Sequence, residues 1–240
     1  MPLSGDAARV WITRARPGAE DTARRVAALR FEPLVLPLLD VQPLGDGPID
    51  LGDAAALAFT SANAVRAFVA RAAAGSWNGP VFSVGDATAA VAREAGFADV
   101  RSAEGDVAAL AALIARARPD GPVLHLSADV PAGDLAAALA KAGFAALRLN
   151  LYQTRPVTLN AMEWNSAQTS DAVLLHSARA AGALATALAG RDGFGAELFC
   201  LSAAVAAPLS AAGFHPQIAV APNDEALMAS LSRWAADARR

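Results

Sequence analysis

The stretch Leu57-Ala58-Phe59-Thr60-Ser61-Ala62-Asn63-Ala64-Val65 returns in altered form as Ala172-Val173-Leu174-Leu175-His176-Ser177-Ala178-Arg179-Ala180. Each copy is an apolar run, then small polar residues, then an alanine-rich helical pattern. Ser61 precedes Ser177 by 116 residues, and the next stretch keeps nearly that spacing. Val81-Phe82-Ser83-Val84-Gly85-Asp86-Ala87-Thr88 is echoed by Leu198-Phe199-Cys200-Leu201-Ser202-Ala203-Ala204-Val205. Both lead through an alanine helix to Gly-Phe, at Gly96-Phe97 and Gly213-Phe214. A second pair repeats the opening: Arg9-Val10-Trp11-Ile12-Thr13-Arg14 matches Pro122-Val123-Leu124-His125-Leu126-Ser127. Two similar domains with a cleft between them are the expected arrangement, and clefts between domains are preferred ligand sites.

Working outward, short apolar runs alternate with longer amphipathic stretches. Parallel strands buried on both faces read as such runs. Strands are expected near Val10–Thr13, Pro33–Leu36, Leu57–Thr60, Val81–Val84 and Asp99–Arg101. They continue near Val123–Leu126, Ala145–Leu149, Ala172–His176, Leu198–Leu201 and Gln217–Val220, giving each domain five. Helices are expected at Ala19–Leu29, Asn63–Ala73, Ala87–Ala95, Val107–Ala117, Asp134–Ala142 and Glu225–Ala236. This alternation means α/β with parallel sheets. The polar or Gly-rich stretches 74–80 and 158–170 read as exposed loops.

Pro37 to Pro43 and Asn150 to Pro156 are extended, proline-bounded stretches, each following the strand-helix-strand unit of its half. Read as crossings, they make the first domain discontinuous, from residues 1–36 and 156–240. The second domain is then 42–149, and 37–41 and 150–155 are linker strands.

The bulk numbers narrow the function. Hydrophobic residues make up 55% of the chain, ample material for two cores. A net charge of only −3 argues against a nucleic-acid or membrane surface. Cys200 is the single cysteine and sits in an apolar run, which reads as a buried hydrophobe rather than a nucleophile. With no disulfide framework, and no signal peptide legible in Met1-Pro2-Leu3-Ser4-Gly5-Asp6, a reducing, cytoplasmic setting is expected. No exposed apolar segment stands out, so a monomer is expected. His125, His176 and His215 are too scattered to nominate a metal, His125 and His215 reading as structural. No phosphate-binding glycine loop appears, which disfavours nucleotide cofactors.

With these motifs in order, the sequence resembles the uroporphyrinogen-III synthase family. The matching features are Ile12-Thr13-Arg14 with Gly18 and Glu20, Leu36-Pro37-Leu38, and Val41-Gln42-Pro43-Leu44. They continue through Phe59-Thr60-Ser61-Ala62-Asn63-Ala64-Val65, Val84-Gly85-Asp86-Ala87-Thr88-Ala89 and Leu151-Tyr152-Gln153-Thr154. The resemblance implies two flavodoxin-like domains joined by a two-stranded linker. It implies a lyase of tetrapyrrole (heme) biosynthesis that works without a cofactor. That reaction closes hydroxymethylbilane, a linear tetrapyrrole with eight carboxylates, into uroporphyrinogen III with loss of water and inversion of the last pyrrole ring. The chain departs from the family pattern at His176-Ser177-Ala178, Ser202-Ala203-Ala204-Val205 and Ser127 to Gly133. A non-enzymatic two-domain binding paralogue is therefore the alternative, with a bilobal solute-binding module as a third reading.

Such a substrate needs many anion contacts and a held, folded conformation. In parallel α/β domains ligands bind at the carboxyl ends of strands, where helix N-termini offer N–H groups to carboxylates. Thr60, Ser61, Asn63, Gly85, Thr88, Ser127, His176 and Ser177 fall at or beside such ends and are the expected substrate contacts. Ser61 and Ser177 also fit plain helix caps. Arg14, ending the first strand, is the expected cationic carboxylate contact, with Arg16 and Arg155 weaker candidates. Tyr152 is the only tyrosine. In a linker its phenol has no obvious core to fill, and it can donate a proton or hydrogen bond to a departing hydroxyl. It is the expected catalytic residue.

Overall fold

The computed structural model describes residues 7–72, 74–131, 133–191 and 193–237. The amino-terminal Met1-to-Asp6 stretch, the expected helix end at Ala73, and Ala132 of the Ser127-to-Gly133 turn lie outside these residues. The chain opens with β1 (Arg9–Ile12), α1 (Gly18–Ala28), β2 (Glu32–Val35) and β3 (Leu39–Pro43). There follow β4 (Ala56–Phe59), α2 (Ala62–Val69), β5 (Val81–Ser83), α3 (Asp86–Glu94), β6 (Val100–Ser102) and α4 (Val107–Ala117). Next come β7 (Val123–Ala128), α5 (Leu135–Lys141), β8 (Ala146–Pro156) and α6 (Ala161–Gln168). The chain finishes with β9 (Ala172–Leu175), α7 (Ala178–Leu188), β10 (Glu197–Cys200), α8 (Ala203–Ala211), β11 (Gln217–Ile218) and α9 (Asp224–Asp237).

The chain divides into two compact units, with boundaries between Asp40 and Val41 and between Thr154 and Arg155. In the discontinuous unit the sheet order is β11-β10-β9-β1-β2, and its strand pairs are parallel. In the Val41–Thr154 unit the order is β3-β8-β7-β4-β5-β6, with β8-β7-β4-β5-β6 parallel throughout. Aligned by the sequence echo, β7 stands for β1, β8 for β2, β4 for β9, β5 for β10 and β6 for β11. The two five-strand orders are then the same, the flavodoxin order, entered at different points. In each, the order reverses between two central strands, β1 and β9 in one unit and β7 and β4 in the other.

Alternation along each strand explains why the runs are apolar throughout. Successive side chains point to opposite faces, so a strand covered on both faces needs no polar positions. Leu57 and Phe59 of β4 enter one core cluster, while Ala56 and Ala58 enter another. Val10 and Ile12 likewise face one cluster, and Trp11 the other. The rings of Phe59, Phe68 and Phe97 lie 5.7–5.9 Å apart. Trp11 is fully buried and donates its indole N–H to Leu36 O at 2.7 Å.

Three elements differ from the sequence reading. First, 158–170 is not a loop. It holds α6, started by a capping box in which Asn160 Oδ1 accepts from Glu163 N and Glu163 Oε2 accepts from Asn160 N. Trp164 anchors this helix against Trp11. Asn160→Ala should lower stability by about 1 kcal/mol in urea unfolding, the usual worth of such a cap. Second, α2 ends at Val69 because Arg71 and Ala72 both turn their amides back onto Phe68 O. Third, the expected sheet strand Ala145–Leu149 and the expected linker strand 150–155 run together as one unbroken strand, β8. It hydrogen-bonds to the β3 segment through Leu44 N to Leu151 O and Gln153 Nε2 to Gln42 Oε1, a descending register that makes the pairing antiparallel. Smaller shifts affect the edges, where β11 shortens to Gln217–Ile218. No helix among the described residues is long and apolar enough to cross a membrane.

Candidate functional site

Each point where the strand order reverses carries a cluster of polar side chains. In the Val41–Thr154 unit the cluster starts from a bulge. Ser127 pairs with Asn150, but Ala128 pairs with Tyr152, so Leu151 is the extra residue. A bulge re-aims the side chain beside it. Tyr152 therefore turns into the sheet's own core cluster and is only 6% exposed. Its phenol reaches past β7 to Ser61 at the carboxyl end of β4, with Tyr152 Oη 2.7 Å from Ser61 Oγ. The expectation of a phenol on a separate linker is thus corrected: Tyr152 belongs to β8 and packs in a core.

Ser61 is also the N-cap of α2 and accepts from Ala64 N at 3.1 Å. Beside it, Thr60 Oγ1 lies 3.2 Å from Nε2 of His125. His125 is 1% exposed, and burial, reinforced by the nearby Arg148 charge, pushes its pKa down to about 4. At neutral pH it is an uncharged hydrogen-bonding group. Asn63 accepts from Arg66 Nη1 at 3.3 Å on the first turn of α2.

Gly85 and Thr88 open α3. Gly85 is the N-cap in extended conformation, and a Cβ built there would have no atom within 4 Å. Thr88 is buried in the first turn, its amide bonded to Gly85 O. Ser127 is fully buried, and its hydroxyl donates to Ala128 O at 3.0 Å, with Asn150 Oδ1 at 3.5 Å. It serves the strand end internally.

In the discontinuous unit Arg14 and His176 meet a residue the sequence reading did not single out, Asp224. Arg14 Nη1 lies 3.4 Å from Asp224 Oδ2, Arg25 Nη1 3.7 Å from the same oxygen, and His176 Nε2 3.3 Å from Oδ1. The His176 contact is an approach by distance without hydrogen-bond alignment, and neither ring nitrogen has a hydrogen-bond partner among the described residues. Burial lowers the His176 pKa. Asp224 is held down to about 2 by the His176 contact, with Arg14 and Arg25 adding to the effect. Since burial keeps His176 neutral, the two arginines are the permanent charges behind that shift. Ser177 caps α7 by accepting from Ala180 N at 3.2 Å. Arg16, by contrast, is paired with Glu20, and His215 is exposed rather than structural.

The sequence held partial signals for the residues it did not yield. Asp224 lies one residue before the expected carboxyl-terminal helix Glu225–Ala236, and it follows Asn223, which caps α9 by accepting from Ala226 N at 2.9 Å. His125 lies within an expected strand, where only the register with β4 brings its ring to Thr60.

Two flavodoxin-order units, each with polar groups gathered where its strand order reverses, define the class as a two-unit α/β protein of the doubly wound kind. The family model described as uroporphyrinogen-III synthase HemD matches residues 20–229. The chain belongs to the uroporphyrinogen-III synthase family. Among solved structures, the uroporphyrinogen-III synthetase of Helicobacter pylori matches with a TM-score of 0.68 at 18% identity, covering 95% of this chain and 99% of that one. A mutant uroporphyrinogen III synthase of Thermus thermophilus matches with a TM-score of 0.55 at 19% identity, covering 97% of this chain and 98% of that one. These likenesses show the shared fold. No curated protein matches the sequence.

Proposed function

We propose that the chain closes hydroxymethylbilane to uroporphyrinogen III with Tyr152 at the departing hydroxyl. The observation that carries this reading is the 2.7 Å contact between Tyr152 Oη and Ser61 Oγ at the mouth of α2. Ser61 Oγ accepts a backbone N–H from the first turn of α2, which leaves its own O–H able to donate to the phenol oxygen. A phenol that accepts from Ser61 is a stronger donor through its own O–H, because linked hydrogen bonds polarise one another. The α2 N-terminus adds positive potential to the same end of the chain of donors.

The electron-rich terminal pyrrole expels its hydroxyl readily, so the phenol supplies a hydrogen bond or proton rather than the whole driving force. An unperturbed phenol, near pKa ~10, is a weak acid suited to such a leaving group. Thr60, fixed by neutral His125, and the open approach at Gly85 supply further contacts on the same strand ends, with Thr88 buried behind Gly85 in the first turn of α3. Arg14, His176 and Ser177 of the discontinuous unit are proposed as carboxylate contacts. The larger contribution is holding the tetrapyrrole folded so that its ends meet with the last ring inverted.

A coupled assay tests this. Hydroxymethylbilane is made in situ, the product oxidised, and its isomers separated. Type III should predominate over the type I isomer of spontaneous closure. Type I alone, at the uncatalysed rate, would refute the proposal.

A further inference from the structure

The cluster around Asp224 is built unlike an ordinary surface ion pair. Three donors, from just past the ends of β1 and β9 and from α1, converge on one carboxylate, yet all three approaches are 3.3–3.7 Å long. A committed charge-assisted N–H···O bond is shorter, about 2.7–2.9 Å. His176 has a side chain only 7% exposed, and neither of its ring nitrogens is hydrogen-bonded among the described residues. A buried polar group left this way costs free energy unless a further partner satisfies it.

Arg14 is nonetheless held in place. Its Nη1 donates to Thr22 Oγ1 at 3.2 Å, and Thr22 Oγ1 in turn donates to Gly18 O. The guanidinium lies over Gly18 so closely that a Cβ there would come within 3.0 Å of Arg14 Nε. Arg14 and Asp224 keep 33% and 31% of their side chains exposed, so the cluster is open to solvent on one side.

We infer that Arg14, Arg25 and His176 form a receptor for one carboxylate of a polycarboxylate ligand, with Asp224 as the internal carboxylate that keeps the donors apart until the ligand arrives. The ligand class rests on the reading of the substrate as a tetrapyrrole octa-acid. The cluster holds two arginine charges against one aspartate, and the charged groups facing His176 are Arg14, Arg25 and Asp224. With His176 neutral, the net charge is positive by one and leaves room for one more anion. A guanidinium takes a carboxylate by two parallel N–H···O bonds. His176 contributes a neutral N–H, and the start of α7 directly after Ser177 adds the positive end of a helix. Asp224 touches the donors rather than the ligand and is a positioning residue.

The test uses propionate as probe, so it does not depend on turnover. With three histidines in the chain, the His176 ring signals can be followed by nuclear magnetic resonance on the whole protein. Propionate titrated at constant ionic strength should shift them saturably. Arg14→Gln should weaken binding about tenfold or more, the worth of one lost charge-assisted contact. Gly18→Ala keeps every charge but displaces the Arg14 guanidinium, and it should weaken binding as well. Asp224→Asn removes the competing negative charge and should tighten binding about tenfold. Absence of a saturable shift, equal binding by Arg14→Gln, or weaker binding by Asp224→Asn would each overturn the receptor. The synthase assay run on the same samples separates the two readings. Activity without propionate binding discards the receptor and leaves the function standing, whereas binding without activity does the reverse.

Discussion

Tyr152→Phe should lower turnover about 10²-fold, the low end of what general-acid assistance contributes, with product affinity almost unchanged. The ring stays in its core position, since only the hydroxyl is removed from a side chain packed among Leu151, Leu126 and Phe59. The lost bond to Ser61 costs about 1 kcal/mol of stability, which leaves the fold intact. As the enzyme slows, spontaneous closure competes and the type I isomer rises. The effect should fall on kcat rather than KM, because the phenol acts on the departing hydroxyl and not on the carboxylates. If Tyr152→Phe turned over at the normal rate with type III still dominant, the phenol would be a packing group. Catalysis would then rest on holding the tetrapyrrole folded.

The second large effect is on stability against pH. In the folded chain the His125 pKa sits at about 4, lowered first by burial and then by Arg148. In the unfolded chain it returns to about 6.5. The unfolded state therefore binds the extra proton between those values, and stability falls as pH falls through that window. Above pH 6.5 the contribution is complete. At pH 5 the loss is about 2 kcal/mol, or roughly thirtyfold in the unfolding constant. His176, also lowered by burial, acts in the same direction. Asp224, held down to about 2, contributes stability that is lost only as pH falls below the usual carboxylate range, outside this window. Urea unfolding at pH 7.5 and pH 5 measures the slope. His125→Gln should lose stability at both pH values but flatten the slope by about 2 kcal/mol. Parallel slopes in the two proteins would mean that His125 is already protonated when folded.

The α/β architecture was legible because strands covered on both faces announce themselves as apolar runs, and because the echo between halves located the same strands twice. Ala172–Leu175 and Ala56–Phe59 were found that way. The helix at Ala161–Gln168 was hidden because its polar face hides the two anchors, Trp164 and Ala167, and its capping box was read as loop chemistry. The site was legible only as strand ends. That reasoning brought Thr60, Ser61 and Tyr152 to attention but could not join them, since the contact depends on one extra residue in β8. A bulge leaves no composition signature: Leu149-Asn150-Leu151-Tyr152 alternates normally on paper. Asp224 was out of reach for another reason. Its partners lie 210 residues away at Arg14 and 48 away at His176, a proximity that only the closed sheet creates.

The shared strand order entered at different points also sets a schedule for synthesis. The Val41–Thr154 unit is continuous, and its sheet is complete once β8 has left the ribosome. The discontinuous unit cannot be completed then, because β1 pairs on its other side with β9, a strand made after the whole of the other unit. Until β9 appears, β1 has one neighbour in β2 and an apolar edge without a mate. Domains generally fold as units during synthesis, so the inserted unit is the first to become protease-resistant on a growing chain. The unit that begins the protein is the last to close.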